Sequence, residues 1–355
     1  MQGVLLQIEH KDGLQKTVLL SLCVTMVIEF SLCLGDLMAD SRRAIENDFR
    51  GFSFDELFTS QLIKNISIGQ KAPTLYPSSA SIVLNLDSIP GGKVIGGCNR
   101  GEFYRIKGLK ATNPPGKSTM MAAAMGNAIE DIVRAQVLKD GTFVEAQTPI
   151  YINDLKVSGR LDLLCERNGY IYIVEVKSFA KYWAHKEICG YYEGTGENRK
   201  FYLPNPKMNH LFQVALYTYV LRDKAIGAKL YYVARDDAAT QEFNVICVPC
   251  QEDGKTVHRI ELSASNREPA ILKSFTIEGI LERFRLLSDA VESDTLPERE
   301  YYLKYPIELI EPLHKHGYIK KTDYSKWKKS KNKKKHELGD WECSYCNYKD
   351  LCWGK

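Results

Sequence analysis

Three ionisable side chains, Asp162, Glu175 and Lys177, lie in two short segments with the residue pattern of β-strands. In GRLDLL and IVEVKS the charged residues alternate with Leu and Val, so charged and apolar side chains take opposite faces of each strand. The tripeptide Arg167–Gly169 between the segments contains Asn-Gly, which is the strongest short signal for a tight hairpin turn. Counting back from this turn places Asp162 beside Glu175, so carboxylates and an ammonium group are expected to converge.

A divalent cation would stabilise such a set of side chains. Carboxylates at close range repel each other, and this repulsion raises the pKa of one of them unless a positive charge compensates. Their oxygens suit Mg²⁺ or Mn²⁺, and Glu130 on a predicted preceding helix offers a third carboxylate. Lys177 would orient or deprotonate a water molecule and stabilise negative charge on a phosphate. The alternative is an exposed Glu–Lys pair, since E-x-K alone is common, but Asp162 across the hairpin favours the metal site.

A second cluster of reactive side chains lies in CSYCNYKDLC, residues 343–352, which contains Cys343, Cys346 and Cys352. The chain has ten cysteines, but its 355 residues and 44% hydrophobic content are too many for a small disulfide scaffold. We therefore expect a reducing, cytoplasmic compartment, in which clustered thiols indicate a bound metal.

The segments that must position these groups follow an α/β pattern. Apolar residues at helical spacing alternate with period-two segments rich in β-branched and aromatic residues. The pattern predicts helices at residues 120–141, 208–227 and 271–292 and strands at residues 144–152, 155–166, 170–178, 228–235 and 241–250. This order predicts a mixed central sheet flanked by helices.

The first part of the chain has a different pattern from the rest. Residues 1–90 are predicted to form an accessory region, with a helical pattern around residues 38–65, and residues 91–355 to form the domain with both clusters. The uncharged run Thr17–Ile28 is shorter than the roughly 20 apolar residues that cross a bilayer. We expect it to be a buried helix or strand, or a leader, and we expect no membrane partner.

The charge of the chain is concentrated in one segment. The formal net charge is only +4, but Lys320–His336 has nine lysines and a single acid, Asp323. A block of like charge is usually a solvated segment. Tyr324 and Trp327 lie between the lysines, and aromatic faces beside cations favour contact with nucleic acid.

The arrangement of Asp162, Glu175 and Lys177 resembles the D…E-x-K core of the PD-(D/E)XK nuclease superfamily. QVALY, residues 213–217, is similar to the Q-x-x-x-Y motif of its RecB-like branch. GNAIEDI is similar to that branch's earlier helical motif, although many members have histidine where this chain has Glu130. The resemblance implies an α/β, restriction-endonuclease-like fold with a mixed central sheet flanked by helices.

The resemblance also implies roles for individual residues. Glu130, Asp162, Glu175 and the Val176 carbonyl would hold Mg²⁺ or Mn²⁺, and Lys177 would assist the attacking water. Gln213 and Tyr217 would position either the DNA strand or Lys177, and Arg100 would add a phosphate contact. His210, one turn before Gln213, is expected to be a surface or hydrogen-bonded helix histidine.

The segment GGCNRGEFYR around Cys98 is similar to the C-P-R-x-F-Y-Y segment of iron–sulfur RecB-like nucleases. The CRISPR-associated iron–sulfur exonucleases and their viral relatives belong to this group. There, one N-terminal cysteine joins three C-terminal cysteines spaced C-x₂-C-x₅-C, which is the spacing of Cys343, Cys346 and Cys352. The resemblance implies a C-terminal [4Fe–4S] staple held by Cys98 and these three residues.

A zinc site is the alternative for the thiols. Cys247 and Cys250 form a second pair with C-x₂-C spacing and could join Cys343 and Cys346 in a Cys₄ zinc site. That arrangement would leave the other two cysteines of the proposed cluster without a role, so we favour the iron–sulfur interpretation.

These observations predict a metal-dependent DNA exonuclease that acts in recombination, repair, or viral or CRISPR DNA processing. The expected partners are single-stranded DNA or duplex ends, with a homo-oligomer or recombination or CRISPR proteins as further candidates. The expected location is the cytoplasm, or the host cytoplasm if the protein is viral. Two alternatives are a non-catalytic DNA-binding subunit of a nuclease or helicase complex and a zinc-stapled RNA-processing factor.

Overall fold

A computed structural model describes residues 74–140, 142–330 and 337–354 of the chain. The apolar run Thr17–Ile28 and the helical pattern around residues 38–65 lie outside the described residues. The division of the chain at residue 90 stays a prediction. From Leu75 onward, the described chain contributes to the domain core, since Leu75, Ala80 and Ile82 are buried in the same apolar cluster as the central strands.

The strands and helices alternate much as the sequence pattern predicts. The strands are β1 (Ser81–Leu84), β2 (Lys93–Gly96), β3 (Phe143–Ile152), β4 (Val157–Arg167), β5 (Tyr170–Phe179), β6 (Tyr191–Glu193), β7 (Lys200–Tyr202), β8 (Ala228–Ala234), β9 (Thr240–Glu252), β10 (Lys255–Ala264) and β11 (Arg267–Ile271). The helices are α1 (Asn99–Ile106), α2 (Lys117–Asp140), α3 (Tyr182–Cys189), α4 (Met208–Val220), α5 (Ile277–Glu292), α6 (Ile307–Lys315), α7 (Lys321–Lys329), α8 (Trp341–Ser344) and α9 (Lys349–Trp353).

The central sheet has the order β11-β10-β9-β8-β5-β4-β3 among the described residues. β5 and β8 are parallel, and the other neighbouring strands of this sheet are antiparallel. The parallel pair requires a crossover, which α4 supplies between β5 and β8. The fold is therefore α/β with a large mixed sheet flanked by helices, as the sequence predicts.

The two faces of the sheet are covered by different helices. On one face, α4 is buried along most of its length, and Ile173, Leu230 and Phe243 of the sheet join its residues in the main apolar core. On the other face, Val174 and Val176 belong to a smaller cluster beneath α2. Because neighbouring residues on β5 face opposite ways, burial of the two valines turns Glu175 towards α4.

The turn between β4 and β5 fixes the register of the hairpin. Asn168 and Gly169 have φ values of 55° and 80°, and the flanking residues Arg167 and Tyr170 pair directly. Two consecutive left-handed residues are what a type I′ turn requires, and Asn and Gly tolerate that conformation best. The predicted hairpin is confirmed, with its register pinned at the turn.

Several elements differ from the expectation in their limits. The helix predicted over residues 271–292 begins at Ile277, because the Thr276 hydroxyl caps it by accepting a 3.1 Å hydrogen bond from the Gly279 N–H. The helix predicted over residues 208–227 ends at Val220. Strands β10 and β11 and the small β6–β7 hairpin were not predicted from the sequence pattern.

The aromatic residues of the lysine-rich segment pack against other parts of the protein. Trp327 of α7 is buried in an apolar cluster with Ile310 and Leu313, and Tyr324 stacks on His314 with ring centroids 4.0 Å apart. The lysines of α7 are exposed, and residues 331–336 lie outside the described residues. The interpretation of Trp327 as a surface for nucleic acid is therefore wrong, because its ring is buried. Tyr324 is half-buried with Lys328 5.7 Å from its ring centre, and its contact with nucleic acid stays a prediction.

The two ends of the described domain meet at an ion pair. Lys93 of β2 and Asp340, just before α8, are both buried and form a salt bridge. Asp340 also accepts a 2.6 Å hydrogen bond from the Tyr305 hydroxyl and a 2.7 Å bond from the Tyr302 N–H. These bonds hold the C-terminal segment against β2. No helix among the described residues has the length and apolar character needed to cross a membrane.

Candidate active site

Three neighbouring strands bring polar side chains to the same level of the sheet. The β4–β5 register pairs Leu163 with Val174, which places Asp162 next to Glu175, as the sequence predicts. Asp162 Oδ2 accepts a 2.8 Å hydrogen bond from the Val176 N–H, which holds this carboxylate against β5. The β3–β4 register places Gln147 opposite Asp162.

Glu175 is the most deeply buried of these groups, with an exposure of 1%. Its Oε1 accepts hydrogen bonds from Lys177 Nζ at 2.7 Å and from Gln213 Nε2 at 3.0 Å. Its Oε2 is buried and has no hydrogen-bond partner in the described part of the chain. A buried carboxylate oxygen without a donor is costly, so this atom is suited to coordinate a cation.

The Q-x-x-x-Y residues of α4 hold Glu175 in place. The Gln213 amide also donates a 2.9 Å hydrogen bond to the Tyr217 hydroxyl, and this hydroxyl donates a 3.0 Å bond to the Arg160 carbonyl of β4. Tyr217 is 1% exposed and Gln213 is 8% exposed, so neither offers DNA a surface of its own. The structure places Gln213 and Tyr217 against Glu175, and their roles in positioning the DNA strand or Lys177 stay predictions.

Glu130 lies on α2 and approaches the site from the other side of the strands. Gln147 donates a 2.7 Å hydrogen bond from Nε2 to Glu130 Oε1. Gly126 precedes Glu130 by one helical turn, and a Cβ at this position would lie 3.3 Å from Ser178 Oγ. The glycine therefore allows α2 to pack closely against the end of β5.

Gln147 is a site residue that sequence reasoning missed. It has a left-handed backbone conformation within β3, with a φ of 53°. Such a conformation is uncommon for a residue with a side chain and is typical of positions where surrounding structure imposes it. A glutamine in a strand carries no sequence signal of its own, and its role depends on the bond to Glu130.

The charges of the site are incompletely balanced by the protein. Burial raises the pKa of Asp162 to about 8, and repulsion from Glu175 adds to this effect while Lys177 opposes it. Burial also raises the pKa of Glu130, with a further contribution from Glu175. In the metal-free protein a proton on Asp162 relieves this repulsion, and a bound cation would allow all three carboxylates to be charged at neutral pH.

Lys177 stays protonated at neutral pH. Burial alone would lower the pKa of its ammonium group, but Glu175 and Asp162 outweigh burial and raise the pKa above its ordinary value. In the metal-free protein Lys177 is therefore a source of positive charge and of hydrogen bonds, and its predicted role towards an attacking water stays a prediction. His210, on the first turn of α4, has a pKa lowered to about 3 by burial, Lys177 and Lys207, and its Nδ1 lies 3.0 Å from the Tyr232 hydroxyl oxygen.

The predicted cysteine set is brought together elsewhere in the domain. Cys98 at the start of α1 lines one cavity with Cys343, Cys346 and Cys352. Burial raises the pKa of Cys98 and of Cys343 to about 12, so these thiols are neutral unless a metal displaces their protons. The Tyr348 N–H lies 3.4 Å from Cys346 Sγ as a hydrogen-bond donor.

Two other predicted groups lie apart from the carboxylates. Arg100 lines the thiol cavity, where it donates 3.0 Å hydrogen bonds to the Tyr104 hydroxyl and the Pro297 carbonyl. Cys247 and Cys250 lie on β9 and do not line that cavity. The predicted zinc set is thus not assembled in this structure, and a role of Arg100 in DNA binding stays a prediction.

An exposed group of ligand-type side chains lies beyond the ends of β5 and β8. Among the described residues, His185, Asp236 and Asp237 form a set of metal-ligand type whose ligand atoms all lie within 4.8 Å of one another. His185 Nε2 and Asp237 Oδ2 are 3.0 Å apart, and Asp236 Oδ2 accepts a 3.3 Å hydrogen bond from the Lys181 N–H. These contacts already pair the side chains with protein groups.

Comparison with known proteins identifies the domain. The family model of the PD-(D/E)XK nuclease superfamily matches residues 115–353, which is more than half of the 355-residue chain. The matched region contains the carboxylates, Lys177 and the three C-terminal cysteines, whereas Cys98 precedes it. No curated protein matches the chain.

Removal of the Asp162 charge is expected to stabilise the metal-free protein. Between the ordinary pKa of 3.8 and about 8, the folded protein holds a proton that the unfolded chain releases, so this group lowers stability as pH rises through that window. We expect Asp162→Asn to raise the free energy of unfolding near pH 8 by about 1 kcal/mol. Urea denaturation in EDTA measures the change, with the exposed Asp154→Asn as control. An equal or lower stability of Asp162→Asn near pH 8 would contradict the charge balance described above.

Loss of the Gln147 amide is expected to weaken metal binding through Glu130. Gln147→Gly removes the donor while keeping a residue that adopts a positive φ without strain. We expect Mn²⁺ affinity, measured by calorimetry, to fall by about 10-fold or more. Gln251→Ala, an exposed glutamine on β9, is the control. Unchanged Mn²⁺ affinity in Gln147→Gly would show that Gln147 does not position a ligand.

Proposed function

Since the chain belongs to the PD-(D/E)XK nuclease superfamily, we propose that it is a divalent-metal-dependent DNA exonuclease. The observation that carries this proposal is the buried Oε2 of Glu175, which has no hydrogen-bond donor among the described residues. It belongs to a carboxylate whose other oxygen is bound by Lys177 and Gln213. The site is thus built to present one carboxylate oxygen to a cation.

The protein's own groups fit Mg²⁺ or Mn²⁺. Asp162, Glu175, Glu130 and the Val176 carbonyl are hard oxygen donors, and the first three lack enough protein cations to balance them. When bound, such an ion lowers the pKa of a water molecule and offsets charge on a phosphate. These residues would hold the ion, and Gln213, Tyr217 and Gln147 would keep its ligands in place.

Lys177 would act on the phosphate and the attacking water by charge. Its ammonium group would donate a hydrogen bond to the attacking water and stabilise negative charge on the phosphate. Its 2.7 Å bond to Glu175 Oε1 fixes it beside the carboxylate whose other oxygen faces the ion. The resemblance to the RecB-like branch, through Gln213 and Tyr217, supports DNA ends as the substrate, in recombination, repair, or viral or CRISPR DNA processing.

We expect cleavage to depend on the charged residues and on free DNA ends. Asp162→Asn and Lys177→Ala should each lower cleavage of linear DNA with Mn²⁺ by about 100-fold or more. The first variant would lose a charged ligand of the metal ion, and the second would lose the positive charge beside the reacting phosphate. The exposed Lys156→Ala, which loses a surface pair with Glu292, is the control and should keep its activity. Covalently closed circular DNA should resist digestion.

Three outcomes would contradict the proposed DNA exonuclease activity. Cutting of closed circles would indicate an endonuclease, and binding of DNA without cleavage under any metal would favour a non-catalytic DNA-binding subunit. Preferential cleavage of RNA would favour an RNA-processing factor.

We further propose that Cys98, Cys343, Cys346 and Cys352 hold a [4Fe–4S] cluster. All four line one cavity, and burial keeps the thiols of Cys98 and Cys343 neutral unless a metal displaces their protons. Thiolates supply all four ligands to such clusters.

The colour of the purified protein tests the cluster. Protein purified without oxygen should be brown and should absorb broadly in the visible range, whereas a zinc protein is colourless. Cys98→Ser should lose this absorption and its bound iron, and Cys247→Ser, on β9, should keep both. Bound zinc in place of iron, or full absorption in Cys98→Ser, would contradict the assignment.

A further inference from the structure

A small hairpin of aromatic residues lies in the chain between β5 and α4, the two elements that carry Lys177 and Gln213. β6 and β7 pair from Tyr191 with Tyr202 to Glu193 with Lys200 and form a two-stranded sheet of their own. We call residues Tyr191–Tyr202 the aromatic hairpin. Neither the metal site nor the cysteine cavity uses any residue of this hairpin.

The rings of the aromatic hairpin form two cross-strand pairs. Tyr191 and Tyr202 are stacked, with ring centroids 4.7 Å apart and planes within 6° of parallel. Tyr192 and Phe201 form a tilted pair with centroids 4.8 Å apart. Cross-strand aromatic pairs stabilise a two-stranded sheet, which is otherwise marginal in water. Such pairing explains why the rings lie together but does not require a ring to remain open to solvent.

Cations surround these rings. The Arg199 guanidinium lies 4.0 Å from the centre of the Tyr192 ring, and Lys186 and Lys200 lie 4.5 Å and 5.2 Å from the rings of Tyr191 and Tyr202. Tyr192 remains 58% exposed despite its contacts. Glu193, opposite Lys200, is the acid of the two strands. An exposed ring among cations is a surface on which a base can stack while its phosphate is neutralised.

The aromatic hairpin is connected at both ends to elements of the active site. Before it, β5 carries Lys177 and leads into α3, and after it, α4 carries Gln213. The Asn205 N–H donates a 2.8 Å hydrogen bond to the Glu187 carbonyl, which closes the base of the hairpin. The base of the hairpin is also held by β11 of the central sheet, because Arg267 Nη1 donates hydrogen bonds of 3.1 Å to the Pro204 carbonyl and 2.6 Å to Asn205 Oδ1.

We propose that the aromatic hairpin is a stacking platform for single-stranded DNA entering or leaving the active site. This inference rests on the proposed nuclease function for its substrate and adds that the bound segment is unpaired. In a duplex, the faces of the bases are covered by neighbouring base pairs, whereas unpaired bases can stack on Tyr192. The platform binds strands with little sequence preference, because every base has an aromatic face.

Binding without metal tests the platform separately from cleavage. Fluorescence anisotropy in EDTA measures the affinity of labelled oligothymidine for wild-type protein, Tyr192→Ala, Tyr192→Phe and Tyr170→Ala. Tyr170 is a matched control, because it is 59% exposed on a hairpin of β4 and β5 at the far end of β5 from Lys177. We expect Tyr192→Ala to bind about fivefold or more weakly, and the other two variants to bind like wild type.

An abasic strand of the same length distinguishes stacking from a structural effect. If Tyr192 stacks on a base, Tyr192→Ala and wild type should bind the abasic strand equally, whereas a collapsed hairpin would lower binding of both strands. Tyr192→Leu, which keeps apolar bulk without an aromatic face, should bind oligothymidine as weakly as Tyr192→Ala. Wild-type affinity of Tyr192→Ala for oligothymidine, equal losses on both strands, or tighter binding of RNA than of DNA would each overturn the proposal.

The results also separate this inference from the proposed function. Absence of cleavage with every metal, together with base-dependent loss of binding in Tyr192→Ala, would overturn the exonuclease and support the platform. If the protein cleaves DNA and Tyr192→Ala binds oligothymidine as tightly as wild type, only the stacking platform is overturned.

Discussion

The site depends on the electrostatic cost of placing Glu175 and Asp162 side by side on adjacent strands. Water would normally solvate such charges, but burial removes most of that solvation, and Lys177 balances only part of the charge. The strands cannot relieve the repulsion by moving, because a two-residue turn fixes their register and the valines beside Glu175 are anchored under α2. The fold therefore maintains a local deficit of positive charge that a metal ion can fill.

The surrounding elements hold the carboxylates of the site in place. α4 supplies an amide and a hydroxyl that hold Glu175 from one face, and Gly126 lets α2 bring Glu130 close from the other. The left-handed backbone conformation at Gln147 has the same effect, since the side-chain amide of this residue orients Glu130. The apolar core beneath α4 makes these supports rigid, because the helix that carries Gln213 is buried along most of its length.

Local sequence signals were sufficient for elements that are defined by residues close together in the chain. The Asn-Gly turn and the alternation around Glu175 predicted the hairpin and its register, and helical spacing predicted α2 and α4. The start of α5 and the end of α4 differ from the prediction, because the limits of a helix depend on local capping contacts such as that of Thr276. The roles of Gln147 and Trp327 could not be predicted, because they depend on contacts with other elements, α2 for Gln147 and α6 for Trp327. The strands of the aromatic hairpin have three residues each, too few to show a period-two pattern.

The buried pair of Lys93 and Asp340 has a consequence for when β2 can fold during synthesis of the chain. The two residues are separated by 247 positions, so a ribosome working at about 5–20 residues per second exposes Lys93 roughly 10–50 s before its counterion emerges. During that interval, an ammonium group destined for the interior must stay hydrated, and β2 cannot take its final place. The buried ion pair can therefore form only after the segment that carries Asp340 has been synthesised.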